Sequence, residues 1–344
     1  MHAVLPYTTR WCGRAIIMPN VPKIETTKQA RDYRDEILKS ARIWHEFLGG
    51  PAPTFKPLMT IYLTPKTDPD DLERGFEEGV ITAVKRYPKG ATTGSDSGVE
   101  DLESTAHVFK RMQKLGIPLL CHDESVLYAD GEVVDDYDRE KVFFETVAYQ
   151  LAHDYPDLKI SNEHIGKRSS VAFMKKSGCK RIVATITPQH LYFDRRDRYK
   201  FGGNAPDYTC RPFIGRKEDK EALWGLLKKK PSYLFLGTDS APHLEKKKAS
   251  PTECACGCFN AQNAIGMYAE VFEKLGIIDY LLPFASLNGP NFYSLPYNTG
   301  TITLVKKEWT AKSLVTVGNS DRIRPIGYRH RLQENLKVAW QQET

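Results

Sequence analysis

The sequence predicts an α/β protein built on a parallel sheet, and three observations lead to that prediction. Short apolar segments recur along the chain and alternate with amphipathic segments, which is the pattern of strand–helix–strand units. Polar groups stand at the C-terminal ends of most apolar segments, as they do at the mouth of a (β/α)8 barrel. Neither G-x-G-x-x-G nor G-x-x-x-x-G-K-[ST] follows any of these segments, which argues against an open, doubly wound nucleotide-binding sheet.

Seven strands are expected, mostly separated by helices, although a closed barrel needs eight. The expected strands are residues 15–20, 58–63, 81–87, 117–122, 158–164, 181–187 and 233–236. The expected helices are residues 26–47, 69–79, 101–115, 138–153, 165–177, 218–229 and 261–275. We therefore expect one barrel domain over residues 1–344 that lacks its first strand, with roughly the last 45 residues as an irregular C-terminal tail.

The composition is that of an ordinary globular protein, with 344 residues, 41% hydrophobic residues and a net charge of +6. No run approaches the roughly 18 apolar residues of a membrane helix. Aromatic and basic residues are not interleaved as they are in proteins that bind single-stranded nucleic acid. We expect neither a membrane nor a nucleic acid as a partner. The seven cysteines, without a secretory signal, indicate a reducing cytoplasm.

Polar residues near the ends of the expected strands form the candidate site. They are Lys85, His122, His164, His190, Asp239 and His243. On a barrel these side chains would converge, and imidazoles and carboxylates are suitable ligands for Zn²⁺ or a similar ion. A lysine within an apolar strand is costly as a buried cation, so Lys85 either reaches the surface or is modified to a carbamate that bridges two metals.

Several motifs stand in a fixed order along the chain. They are GRAIIMPN, LERGFEEGVITAVKRYPKGATT, GIPLLCH, EH at 163–164, ATITPQHL, FLGTDSAPH, CFNA and NGPNFYSLP. In this combination the chain resembles the dihydroorotases, of the single-function bacterial type within the amidohydrolase superfamily. The resemblance implies a (β/α)8 TIM barrel of the metal-dependent hydrolase type. It also implies a zinc-dependent hydrolase of a cyclic amide that interconverts (S)-dihydroorotate and N-carbamoyl-L-aspartate in de novo pyrimidine (UMP) biosynthesis.

The resemblance also implies the zinc ligands. The family has two zinc ions per subunit, and Lys85 matches the carboxylated lysine that bridges them. His122 and His164 match ligands of the second zinc. Asp239 matches a ligand of the first zinc that also serves as general base and then as general acid.

Further matches concern the substrate. Asn20 and His243 match residues that hold the substrate carboxylate. Arg211, and Cys256 or a neighbour in the CACGC segment, match positions where backbone groups meet the substrate. Thr92 and Thr93 match a loop that closes over the bound ligand. Family members often form homodimers, so a homodimer is compatible with the resemblance.

One part of the family pattern is missing. The family's first strand carries a His-x-His-x-Arg motif that this chain lacks, and His2 alone does not match it. The first zinc would then keep only Asp239 and the carboxylated Lys85 as protein ligands, so we expect a chain truncated at its N-terminus. The alternative is a variant without the first metal site that acts as a non-catalytic scaffold. A hydantoinase-like activity is a third hypothesis, which the PQHL, TDSAPH and CFNA motifs disfavour.

Overall fold

The structure is a computed structural model that describes residues 3–48, 54–202, 205–250, 255–311, 314–318, 320–328 and 336–343. The chain groups into two compact units, and each is described by itself. The first comprises Met1–Glu163 and Lys176–Ala184, and the second comprises His164–Lys175 and Thr185–Thr344. The assignment of one barrel domain stays a prediction. His2 and Cys254, which enter the sequence argument, lie outside the described residues.

The first unit contains a parallel sheet whose strands pair in chain order. Its strands are β1 (Arg14–Ile17), β2 (Lys56–Tyr62), β3 (Ile81–Arg86), β4 (Leu119–His122), β5 (Ile160–Glu163) and the first half of β6 (Ile182–Ile186). Most residues of β2 to β6 are buried, which explains the apolar runs in the sequence.

The helices of this unit alternate with the strands as predicted, except that a short helix also precedes β1. They are α1 (Leu5–Thr9), α2 (Thr27–Leu48), α3 (Pro69–Glu77), α4 (Ala106–Leu115), α5 (Arg139–Glu145) and α6 (Val147–Asp154). The side chain of Asp68 caps α3 by accepting a hydrogen bond from the amide of Asp70, and Gly116 ends α4 in the left-handed region at φ 70°. The single helix expected over 138–153 is instead two helices. The backbone leaves the helical region at Thr146 (φ −127°, ψ −81°).

The second unit contains the end of β6, strand β7 (Leu234–Leu236) and most of the remaining helices. The helices that begin in this unit are α7 (Arg168–Ser177), α8 (Pro188–Tyr192), α9 (Lys217–Leu227), α10 (Glu245–Lys248), α11 (Ala264–Lys274) and α12 (Asn288–Tyr293). With β7, all seven expected strands are present. A Cβ at Gly237 would lie only 2.6 Å from Cβ of Thr185, so glycine is required where the chain leaves β7.

The C-terminal segment forms three antiparallel strand pairs rather than the expected irregular tail. The strands are β8 (Leu304–Val305), β9 (Trp309–Thr310), β10 (Val315–Val317), β11 (Asp321–Ile323), β12 (Lys337–Val338) and β13 (Gln341–Gln342). β8 pairs with β13, β9 with β12, and β10 with β11. The buried apolar residues Ile326, Leu336 and Val338 belong to one hydrophobic cluster with Phe193, so this segment contributes to the core of the second unit.

Candidate active site

Lys85 and His122 are buried at neighbouring strand ends of the first unit. Lys85 on β3 is 2% exposed and His122 on β4 is 3% exposed. The ring of Tyr87 is a common neighbour of both. Its centroid is 5.4 Å from Nζ of Lys85 and 5.9 Å from the centre of the His122 ring. The structure therefore places two of the predicted metal ligands beside one aromatic ring, and Lys85 does not reach the surface.

Glu124 holds the imidazole of His122. Nε2 of His122 lies 2.8 Å from Oε2 of Glu124, and the Glu124 side chain is fully buried. An ionised carboxylate only accepts hydrogen bonds, so with Glu124 ionised the proton is on Nε2 and, in the neutral ring, the lone pair is on Nδ1. Metal-binding histidines commonly donate their second ring N–H to a carboxylate in this way. Glu124 was not among the site residues predicted from the sequence, although it stands only two residues after the strand-end His122.

Further charged groups are buried around these residues. The side chain of Asp123 is fully buried, and burial raises its pKa well above the usual range while the positive charge of Lys85 opposes that shift. Burial also lowers the pKa of Arg86 and raises the pKa of Cys121 to about 12. The end of β4 is therefore a polar site with little access to water, where charges interact strongly.

Asn20 and the loop containing Thr92 and Thr93 are in contact. Nδ2 of Asn20 donates a hydrogen bond to the carbonyl oxygen of Thr93 at 3.0 Å. The buried hydroxyl of Ser95 shapes the loop, since it accepts from the amide of Thr92 at 2.9 Å and donates to its carbonyl at 2.6 Å. The three predicted substrate residues of the first unit are therefore brought together.

His164 and Asp239, the predicted ligands in the second unit, have unusual backbone conformations. Their φ angles are 50° and 45°, in the left-handed region that residues other than glycine seldom adopt. The amide of His164 donates to Oγ1 of Thr185 at 2.8 Å, which fixes the turn after β5. Strain of this kind is often found at functional sites, where surrounding contacts maintain it.

Asn260 fixes the turn that carries Asp239. Its buried side-chain amide donates to the carbonyl of Thr238 and to Oε1 of Gln189, both at 2.7 Å. Its backbone amide donates to Oγ of Ser240 at 3.3 Å. The residues on both sides of Asp239 are thus bonded to one asparagine, a role that the CFNA motif did not reveal.

His243 and Cys256 are also brought together. Nε2 of His243 donates to the carbonyl oxygen of Cys256 at 3.1 Å. Burial, followed by the positive charge of Lys248, lowers the pKa of His243, so this ring is neutral at pH 7. The guanidinium of Arg211 lies 4.2 Å from the centre of the Phe213 ring. The amide of Gly257 donates to the carbonyl of Thr209 at 2.9 Å, linking the loops that carry Cys256 and Arg211.

His190 has a structural environment. Its Nδ1 lies 2.7 Å from Oγ1 of Thr187, and its Nε2 lies 3.1 Å from the carbonyl oxygen of Pro212. Both ring nitrogens are engaged by protein atoms, so His190 is not a ligand in this arrangement. Its position reflects the cap of α8, where the Thr187 side chain also accepts from the His190 amide.

The side chains near the strand ends fit zinc in their chemistry but do not form a complete site alone. Within the described ranges, no three His, Cys, Asp or Glu side chains are grouped so that they could hold a metal ion. Zinc sites in proteins have at least three protein ligands. A carbamate on the buried Lys85 would add oxygen donors, so the residues fit zinc if that lysine is carboxylated.

Comparison with known proteins identifies close relatives over nearly the whole chain. No protein-family model matches it. The chain is 42% identical over 328 residues to a dihydroorotase from Erwinia tasmaniensis, which covers 95% of this chain and 89% of that protein. It is 43% identical over 320 residues to a dihydroorotase from Klebsiella pneumoniae, covering 93% of this chain and 88% of the relative.

Solved structures agree with these relationships. A Saccharomyces cerevisiae dihydroorotase in complex with 5-fluoroorotic acid matches with a TM-score of 0.85 and 28% identity, over 99% of this chain and 93% of the other. A Campylobacter jejuni dihydroorotase matches with a TM-score of 0.83 and 29% identity, over 100% and 92% of the two chains. An Arthrobacter aurescens L-hydantoinase has a TM-score of 0.75 at 13% identity over 98% and 77%, which bears on the fold alone. These matches confirm the predicted barrel fold of the metal-dependent hydrolases. The chain belongs to the dihydroorotase family.

Proposed function

We propose that this protein is a zinc-dependent dihydroorotase that opens the ring of (S)-dihydroorotate to N-carbamoyl-L-aspartate and closes it again in pyrimidine biosynthesis. The observation that carries the proposal is the identity of 42% to a curated dihydroorotase over 95% of the chain. The buried Lys85 and the hydrogen bond between His122 and Glu124 support the proposal. In metal centres, a carboxylate commonly orients a ligand histidine in this way.

Lys85 in carboxylated form, His122, His164 and Asp239 are the proposed zinc ligands. The restrained imidazole of His122 and the left-handed backbones of His164 and Asp239 are consistent with groups held in fixed orientations. The resemblance gives the first ion only Lys85 and Asp239 as protein ligands, fewer than the three protein ligands that catalytic zinc sites have. When bound, zinc would lower the pKa of water and polarise the substrate carbonyl.

Asp239 is the proposed general base and acid. Its carboxylate takes a proton from the attacking water and returns it to the ring nitrogen when the amide C–N bond breaks. The carbonyl carbon becomes a carboxyl group, which releases the second proton of the water to solvent at neutral pH. The nitrogen becomes the terminal amide of the carbamoyl group, so atoms and protons balance. The bonds from Asn260 keep the turn of Asp239 in place during this exchange.

The substrate carboxylate is assigned to Asn20 and His243, and the ring to backbone groups near Arg211 and Cys256. Thr92 and Thr93 would close over the bound molecule. The contact of Asn20 with the Thr93 carbonyl supports a joint role for these residues. Because Nε2 of His243 already donates to Cys256, the ring offers a second N–H to a carboxylate only when it is protonated.

The direct test is turnover of dihydroorotate by the zinc-loaded chain, with formation of the ureido product measured. An Asp239→Asn variant serves as the inactive control. Turnover that disappears in this variant supports the proposal. A folded, zinc-containing wild-type chain that leaves dihydroorotate unchanged would favour the non-catalytic scaffold, which gains no support from the comparisons. Hydrolysis of a hydantoin but not of dihydroorotate would favour the hypothesis of a hydantoinase-like activity.

The cellular setting is a further part of the proposal. The six described cysteines are free thiols, which supports the reducing cytoplasm. No helix in the described part of the chain is long and apolar enough to cross a membrane. The proposed partner is the small-molecule substrate, and a homodimer would be detected by light scattering.

A further inference from the structure

Lys248 is a buried lysine with no role in the chemistry proposed above. It is the last residue of α10 and is 5% exposed, whereas Lys246 and Lys247 on the same helix are exposed. A buried ammonium is costly unless hydrogen bonds compensate for the lost water. Here Nζ donates to the carbonyl of Thr209 at 2.9 Å and to the carbonyl of Gly257 at 2.7 Å.

The two acceptors belong to different loops, and each adjoins a proposed substrate residue. Thr209 stands two residues before Arg211, and Gly257 directly follows Cys256. The amide of Gly257 also donates to the Thr209 carbonyl at 2.9 Å. The Thr209 carbonyl therefore accepts hydrogen bonds both from Lys248 and from the Gly257 amide. Lys248 thus lies where the loop of Thr209 meets the loop of Gly257.

A third segment meets the same junction. The helix of Lys248 follows His243 closely in the chain, and the His243 ring donates to the carbonyl of Cys256 at 3.1 Å. The packing there leaves no slack, because a Cβ at Gly257 would lie 2.5 Å from Cβ of Ala241 and 2.9 Å from Nε2 of His243. The Gly257 backbone therefore lies directly beside the His243 ring, with no room for a side chain between them.

We propose that Lys248 is a positioning residue for substrate binding, which holds the segments of Arg211, His243 and Cys256 in one arrangement. The inference rests on the proposed function, since it assumes that these three segments contact dihydroorotate. Lys248 is not among the residues proposed to contact the substrate or the reacting bond. Its removal should therefore weaken binding more than it slows the chemical step.

The test compares Lys248→Met with Lys247→Met in the zinc-loaded 344-residue chain. Both changes remove one positive charge from α10, but only the first removes the bonds to the two loops. We expect the KM for dihydroorotate to rise about tenfold in Lys248→Met, with kcat within about threefold of wild type. Lys247→Met should keep the wild-type KM. An unchanged KM in Lys248→Met would overturn the proposal, and so would an equal rise in both variants.

Hydrogen exchange gives a second measurement that does not need activity. We expect the amide of Gly257 to exchange about tenfold faster in Lys248→Met than in Lys247→Met, and equal rates would contradict the proposal. If wild type fails to hydrolyse dihydroorotate, the proposed function falls, and the exchange rates still decide whether Lys248 holds the loops. If Lys248→Met does not fold, Lys248→Gln replaces it, because glutamine is too short to reach both carbonyls and should also raise the KM.

Discussion

Replacing Asn260 by alanine tests whether hydrogen bonds from the Asn260 side chain maintain the backbone conformation of the turn that carries Asp239. Asn260 is 0% exposed, and its side chain donates to the carbonyl of Thr238 and to Oε1 of Gln189. Alanine removes both bonds and leaves both acceptors without this donor. The backbone bond from residue 260 to the Ser240 hydroxyl can remain, so the variant loosens one side of the turn.

The magnitude follows from the two lost bonds. Each buried acceptor that is left unsatisfied costs about 1–3 kcal/mol, so the free energy of unfolding should fall by roughly 2–6 kcal/mol. The left-handed conformation of Asp239 itself costs about 1–3 kcal/mol and persists only while its surroundings maintain it. A shift of the carboxylate by about 1 Å would lower kcat about 100-fold.

The assay measures kcat for dihydroorotate and the urea unfolding midpoint for Asn260→Ala and for a matched control, Asn288→Ala. Asn288 is also a buried asparagine, and its side chain donates to the carbonyl of Leu234 at 2.8 Å, at the start of β7 rather than beside Asp239. Both variants should lose stability, but only Asn260→Ala should lose kcat. Equal losses of kcat, or a destabilised Asn260→Ala variant with full kcat, would refute the reasoning.

Three further predictions concern single residues of the site. Asp239→Asn should lower kcat about 10²–10⁴-fold in both directions, measured by steady-state kinetics on protein incubated with zinc. A smaller loss would remove its role as general base. Glu124→Ala should weaken zinc binding about 10–100-fold in a chelator titration. Glu100→Ala, which changes an exposed glutamate, serves as the control and should bind zinc as wild type does. Equal zinc affinities of the two variants would exclude a role of Glu124 in orienting His122. Because the pKa of His243 lies below its ordinary value and only the protonated ring can donate a second N–H, the KM should fall as the pH drops from about 8 to about 6. His243→Asn should lack that trend, and the same KM profile in both proteins would contradict the assignment.

The strands were predictable because a strand that is buried on both faces is a continuous run of apolar residues in the sequence. Apolar runs such as residues 58–63 and 181–187 became β2 and β6 with shifts of one or two residues at their ends. The strand pairs of the C-terminal segment escaped prediction because two or three residues are too few to show a period. The break at Thr146 was also missed, since its backbone conformation is not encoded by the flanking helical pattern.

Site residues were also predictable only where the local sequence carries a signal. Lys85 was recognisable because a cation inside an apolar strand needs an explanation, and the structure shows it buried. Asn260 was not recognised as a support for Asp239, because its partners are 22 and 71 positions away in the chain. In the sequence, Lys248 is one of three consecutive lysines at 246–248, and the run contains no signal that one of them is buried. Only the fold distinguishes it from its exposed neighbours.

The central claim is that a carboxylated Lys85 supports a zinc centre that opens dihydroorotate. The most direct measurement is the zinc content and the dihydroorotate turnover of wild type and Lys85→Met, both purified in bicarbonate buffer. The account predicts about one or two zinc ions per wild-type chain with measurable turnover, and a loss of both in Lys85→Met. A Lys85→Met variant that keeps its zinc and its turnover would contradict the account, as would a zinc-free wild-type chain that hydrolyses dihydroorotate at the full rate.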